Sequence, residues 1–197
     1  MLTLEQGTEL VKYARDSIND YLSGNVCKIE DFLFAREKQG VFVTILTYPL
    51  TELRGCIGFP EPVFSLNKAI SKAAISAAVD DPRFLKLSLA ELNDVAVEIS
   101  VLTVPEKIAL SGSEKYEDKI TIGKDGLIIR RGNDSGLLLP QVPVDFGWDK
   151  KQFLAQVCVK AGLNPDAYLL DDVELYRFCA QIFSEESPNG AVVEKRL

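Results

Sequence analysis

Over residues 10–21 the apolar positions Leu10, Ala14, Ile18 and Tyr21 recur at helical spacing. Thr3 and Gln6 form a capping-box pattern ahead of them, and Ser23-Gly24 offers a stop. From Val41 to Tyr48 the chain turns β-branched and aromatic, which predicts a strand. Pro49 breaks it, and residues 51–57 are expected to return as its partner. Residues 65–79 predict a helix with Leu66, Ala69, Ile70, Ala73 and Ala77 on one face, its many alanines letting it approach a sheet closely. Ser88 to Glu91 is a second capping box. Residues 95–102 alternate as a strand, with Glu98 and Ser100 on the face opposite Val97 and Ile99.

The second half reads as shorter pieces. Residues 105–118 are polar and read as irregular. Two turn signals, at 123–126 and 132–136, predict a meander of hairpins over residues 120–139. Pro140 and Pro143 bracket Gln141, predicting an extended segment that is either a rigid connector or a device aiming the Gln141 amide into a cleft. Asp149 and Gln152 open another helix, with Phe153, Leu154, Val157, Cys158 and Ala161 buried and Gly162 at its end. One last strand is expected over 173–183, and a polar tail from Ser187 on. The pattern is that of an α+β fold, a largely antiparallel sheet flanked by helices, with room for a smaller lobe that forms a cleft.

Composition narrows the chemistry. At 197 residues the chain suits one sizeable domain, residues 1–197, and 47% hydrophobic with 26% charged residues is globular. A net charge of -7 argues against general nucleic-acid binding. The chain contains no histidine, which excludes Ser-His-Asp and Cys-His catalysis. Cys27, Cys56, Cys158 and Cys179 are widely spaced, with no C-x-x-C pair, so neither a zinc site nor a disulfide framework is expected. No apolar run suits a signal peptide or a membrane span, and the expected compartment is the cytoplasm.

The stretch that carries chemistry is Leu53-Arg54-Gly55-Cys56-Ile57-Gly58. In an extended chain Arg54 and Cys56 share a face, roughly 6.5–7 Å apart, while Leu53, Gly55 and Ile57 face the other way. Gly55 and Gly58 leave the backbone bare for close approach. A guanidinium beside a thiol favours the thiolate. On these grounds Cys56 is either a nucleophile or a small buried hydrophobe, and Arg54 either an anion clamp or a structural ion-pair member. Glu98, costly to bury alone, would find its natural partner in Arg54 if both line one cleft. Asp81 and Arg83, beside Pro82, read either as turn chemistry or as part of that cleft.

The hexapeptide resembles the signature of the AMME-syndrome critical-region protein family (AMMECR). The resemblance extends through Asp81-Pro82-Arg83-Phe84, Glu98-Ile99-Ser100, Gly126-Leu127-Ile128-Ile129, Gly136 to Val142, Trp148, Cys158 to Leu163 and Tyr176-Arg177-Phe178. It implies an α+β fold with a cleft near the hexapeptide, and it names no reaction or cofactor. It places Cys56, Arg54 and Glu98 as catalytic candidates, with Gly55, Gly58, Asp81, Arg83, Ser100 and Gln141 as substrate-binding ones. It also implies Memo-like or radical-SAM proteins as partners in some prokaryotes. Two classes of function stay open: an enzyme built on Cys56 and Arg54, or a module binding a small molecule, small anion or peptide terminus.

Overall fold

The computed structural model describes residues 1–195 of the chain. In order, the elements are α1 (Leu4–Leu22), β1 (Val41–Thr47), β2 (Leu53–Phe59), α2 (Leu66–Val79), β3 (Val95–Leu102), β4 (Glu106–Lys107), α3 (Tyr116–Lys119), β5 (Gly126–Arg131), β6 (Asp134–Leu138), α4 (Gln141–Asp145), α5 (Lys150–Lys160), β7 (Glu174–Phe178), β8 (Ala180–Glu185) and β9 (Val192–Lys195). They gather into two compact units, one of residues 1–102 with 181–195, the other of Thr103–Ala180. The class is α+β, as the sequence pattern implies.

In the first unit a five-stranded sheet runs in the order β2-β1-β3-β8-β9. β1 is antiparallel to both β2 and β3. One face carries Val41, Val43 and Ile45 of β1 and Val95, Val97, Ile99 and Val101 of β3 into a core shared with α1 and α2. The alanines expected to let α2 approach do so: Ala69, Ala73 and Ala74 are wholly buried. Helix α1 starts at the predicted capping box, where the Gln6 N–H donates to Thr3 Oγ1 at 3.2 Å and the Thr3 N–H to Gln6 Oε1 at 2.9 Å. Each guanidinium nitrogen of its buried Arg15 has a partner, the group donating to both oxygens of Glu185 and to the Leu92 and Val95 carbonyls, while Glu185 also accepts from the Val97 N–H. A charge this deep is tolerable only when paired and hydrogen-bonded throughout.

The second unit is a four-stranded sheet, β4-β7-β5-β6, with α5 packed over it. Phe153, Leu154, Val157 and Cys158 of α5 meet Leu127, Ile129 and Leu175 in its core. Of the expected meander over residues 120–139 one hairpin forms, β5–β6 across Gly132-Asn133 with Gly132 at φ 59°; residues 120–125 form no strand, and the other neighbour of β5 is β7. At Gly136 an added Cβ would stand 2.6 Å from the Ala161 nitrogen, so only glycine lets β6 lie against α5.

Three expectations need correction. Residues 140–145 do not stay extended: Gln141–Asp145 is the short helix α4, because Pro143 sits in its first turn, where a missing N–H costs nothing. The single last strand is two, β7 and β8, divided near Cys179 and belonging to different sheets. The polar tail contains β9, which pairs with β8 from Ile182↔Lys195 to Glu185↔Val192. No helix of the described residues is long and apolar enough to cross a membrane.

Candidate functional site

The face of the five-stranded sheet opposite α1 and α2 gathers most of the singled-out residues. Register sets Cys56 of β2 opposite Thr44 of β1, and Thr44 opposite Glu98 of β3. The next row is Gly58, Phe42 and Ser100. Cys56 and Gly58 share this face by strand alternation, whereas Arg54 falls at a shift of register, Ile45 pairing with Gly55 and Leu46 with Leu53. Gly55 lies on the opposite face, where an added Cβ would stand 2.2 Å from the Ala77 carbonyl oxygen. Its bareness therefore admits α2, not a ligand. At Gly58 the space a Cβ would fill is taken by the Phe42 ring.

Cys56 is half-buried, and its Sγ accepts from the Thr44 hydroxyl at 3.3 Å. Burial pushes its pKa up; Thr44 and the more distant Arg83 charge pull it down, and Asp81 and Glu98 push it further up. The guanidinium expected to favour the thiolate is thus not the leading influence on this thiol. The Arg54 guanidinium is turned to Glu91, leaving burial as the dominant influence on the sulfur.

Arg54 is nearly covered, with 16% of its side chain exposed. Its Nε and one terminal nitrogen donate to Glu91 Oε1, each at 3.2 Å, and its guanidinium carbon stands 6.0 Å from the Phe84 ring centre. Glu91 Oε2 accepts from the Ser88 N–H at 3.0 Å, and this bond, with Arg54, holds its carboxyl below the usual range. The capping box read at residues 88–91 thus also anchors Arg54.

The expected Arg54–Glu98 pair does not form. β1 lies between their strands, a separation of about 9.5 Å at ordinary strand spacing. Glu98, 9% exposed, instead accepts from Lys195 Nζ at 2.6 Å. Ser100, in the adjacent row of the same face, is 2% exposed.

Asp81 and Arg83 work on the edge of the sheet. Among the described residues β2 has no strand beyond it, so its outward main-chain groups need partners. Asp81 Oδ2 accepts from the Cys56 N–H at 2.9 Å, and Arg83 donates to the Cys56 carbonyl at 3.3 Å. The two side chains are joined by a bidentate pair at 2.9 and 2.7 Å, and Arg83 chiefly holds the Asp81 carboxyl far below the usual range. The turn therefore pins Cys56 through its backbone, and the Arg83 guanidinium also stands over Phe84, at 5.4 Å.

Gln141 belongs to the second unit, where it opens α4 with its side-chain oxygen buried and unpartnered. Four participants were not singled out in advance: Thr44, Phe84, Glu91 and Lys195. For Thr44 and Glu91 a signal existed, one in the polar position amid a strand and one in the capping box. For Lys195 none did, because its partner lies 97 residues away in sequence.

Known proteins resemble the chain along its whole length. A family model described as AMMECR1 matches residues 11–183. Protein MJ0810 of Methanocaldococcus jannaschii is 53% identical, covering 100% of this chain and 98% of that protein. Protein MK0488 of Methanopyrus kandleri is 50% identical over 100% of this chain and 96% of its own length. The crystal structure of the uncharacterized protein PH0010 from Pyrococcus horikoshii superposes with a TM-score of 0.89 at 49% identity, covering 97% of both chains.

Proposed function

Since the chain belongs to the AMMECR1 family, we propose that the sheet face around Arg54 and Cys56 is a binding site for a small anion or the carboxyl terminus of a peptide. The observation that carries this reading is the state of Arg54. Its planar fork is almost covered, yet its partner Glu91 is 44% exposed and is held by bonds of 3.2 to 3.5 Å. An incoming carboxylate or phosphate can take the place of Glu91 on the guanidinium, which matches it in charge and two-donor geometry. Glu98 would not repel it strongly, being paired with Lys195. Cys56 then serves as a neutral, polarisable wall, and Ser100 as a polar group on the same face.

A second reading, catalysis at Cys56, draws on the row Cys56–Thr44–Glu98 across three adjacent strands. There Glu98 would be the carboxylate that carries a proton, and Cys56, its pKa raised by burial, would need activation by the substrate itself. A cytoplasmic setting, expected from the sequence pattern, and Memo-like or radical-SAM partners, implied by the family resemblance, belong to this proposal.

Calorimetric titration with acetate, a C-terminal dipeptide and inorganic phosphate tests the binding reading. Arg54→Ala should abolish binding, Arg54→Lys should restore it partly, and Glu91→Gln should tighten it by freeing the guanidinium. Unchanged affinity in Arg54→Ala would refute the site. Binding that survives Cys56→Ser with no turnover of any bound compound favours the module over the enzyme.

A further inference from the structure

The end of the sheet that carries Arg54 leaves large apolar side chains in water. Tyr48 and Leu50 in the turn after β1, Leu53 opening β2, and Leu85 and Leu89 in the loop after α2 are between 40% and 87% exposed. One such side chain alone needs no explanation, but these five are not scattered. Leu53 adjoins Arg54 in the chain, Leu85 adjoins Phe84, and Leu89 adjoins Ser88. Arg54 bonds Glu91 and stands 6.0 Å from the Phe84 ring centre, while the Ser88 N–H donates to Glu91 at 3.0 Å. The Tyr48 N–H donates to the Asp94 carbonyl at 2.9 Å, tying the turn after β1 to the same loop. These bonds gather the carriers of five exposed apolar side chains around one nearly covered guanidinium.

An exposed apolar patch of this kind marks a docking surface, and its charge says what docks. The cation within it is Arg54, whose partner Glu91 is itself 44% exposed. An inorganic anion would use Arg54 and leave the leucines in water. The carboxyl terminus of a polypeptide carries both complements at once, an α-carboxylate for the guanidinium and a last side chain one bond from the same Cα. Phe84 is held for the apolar half, with the Arg54 and Arg83 guanidiniums 6.0 and 5.4 Å from its ring centre.

We propose that the site around Arg54 recognises the carboxyl terminus of a polypeptide whose last residue is large and apolar. The α-carboxylate takes the place of Glu91 on Arg54, and the last side chain lies on Phe84, Leu85 and Leu89. This rests on the anion reading of Arg54 and narrows it to one class of ligand. Covering a leucine-sized side chain on such a surface is worth about tenfold in affinity or more.

The probes are acetyl-Gly-Gly-Leu, its carboxamide, and acetyl-Gly-Gly-Gly, titrated calorimetrically. The leucine acid should bind at least about tenfold more tightly than the glycine acid, and the carboxamide should lose that affinity. Leu85→Ser alters an 87% exposed side chain, so it leaves the core intact. It should weaken the leucine acid severalfold and leave the glycine acid unchanged. Equal affinity for the two acids overturns the proposal while the anion site stands; binding of neither acid overturns both. A carboxamide that binds as well as the acid, or a folded Leu85→Ser variant that keeps the full preference for leucine, also overturns it. So does a dimer in sedimentation velocity that Leu85→Ser dissociates, since the patch would then belong to a second copy of the chain.

Discussion

At the scale of single residues, Cys56 decides between chemistries because its environment, and not its identity, sets its form. A thiol activated for attack sits beside an unpaired cation or a helix N-terminus, in partial contact with water. Here the nearest guanidiniums are both committed to carboxylates, Arg54 to Glu91 and Arg83 to Asp81. Burial therefore wins, and the thiol titrates above its ordinary value. Alkylation of native Cys56 by iodoacetamide should accordingly be slow at neutral pH. It should keep rising beyond about pH 8.5, where a free thiol is already half ionised. A rate that levels off below neutrality, followed by mass mapping of the labelled cysteine, would show a thiolate and restore the nucleophile.

At the scale of elements, β2 is placed by two devices that the hexapeptide hides. On its inner side Gly55 lets the strand backbone rest against the last turn of α2, with the Ala77 carbonyl occupying the space of a side chain. On its outer edge Asp81 and Arg83 supply the hydrogen bonds that a missing neighbour strand would give. Gly55→Ala should then destabilise the protein by roughly 1–3 kcal/mol, since the obstructing atom is helix backbone and cannot swing aside. Urea unfolding measures it, and a change below about 0.5 kcal/mol would mean that the glycine does not set the distance between sheet and helix. Much of this layer was legible in the sequence: the periods of residues 10–21, 41–57, 65–79 and 95–102 give α1, β1, β2, α2 and β3 in order, though the shift of register that interrupts the alternation at Arg54 was not. What was not legible depends on pairing across distance. No local signal says that β1 separates Arg54 from Glu98, or that Lys195 in an apparently polar tail returns as a strand to neutralise Glu98. Nor does any breaker residue mark the division near Cys179, because both halves of 173–183 have strand composition. Pro143 misled for a local reason, since a proline in the first turn of a helix and one in an extended segment have the same φ.

At the scale of the whole molecule, a chain with net charge -7 and several depressed carboxylates responds to acid in a definite direction. Asp81, held down chiefly by Arg83, Glu91 by the Ser88 N–H, and Glu114, lowered to about 2 by Lys119, are all stronger acids in the folded state. Asp16 works the other way, its proton affinity raised by burial. For a depressed carboxylate the unfolded chain takes up the proton first as pH falls. The stability it contributes is complete above the unfolded value, near 4, and is lost as pH drops through the carboxylate range. Asp81 should dominate this loss, because its carboxylate is buried, 2% exposed, and joins both the Arg83 fork and the Cys56 N–H, whereas Glu114 is exposed to solvent screening. Asp81→Asn keeps an acceptor for that N–H but removes the charge. It should cost roughly 1–3 kcal/mol at pH 7. Because its contribution no longer titrates, the variant and parent stabilities should converge as denaturation curves are taken from pH 7 down to about pH 3. Parallel curves over that interval would show that the clamp on the β2 edge is spatial only, and that acid lability arises elsewhere among the carboxylates.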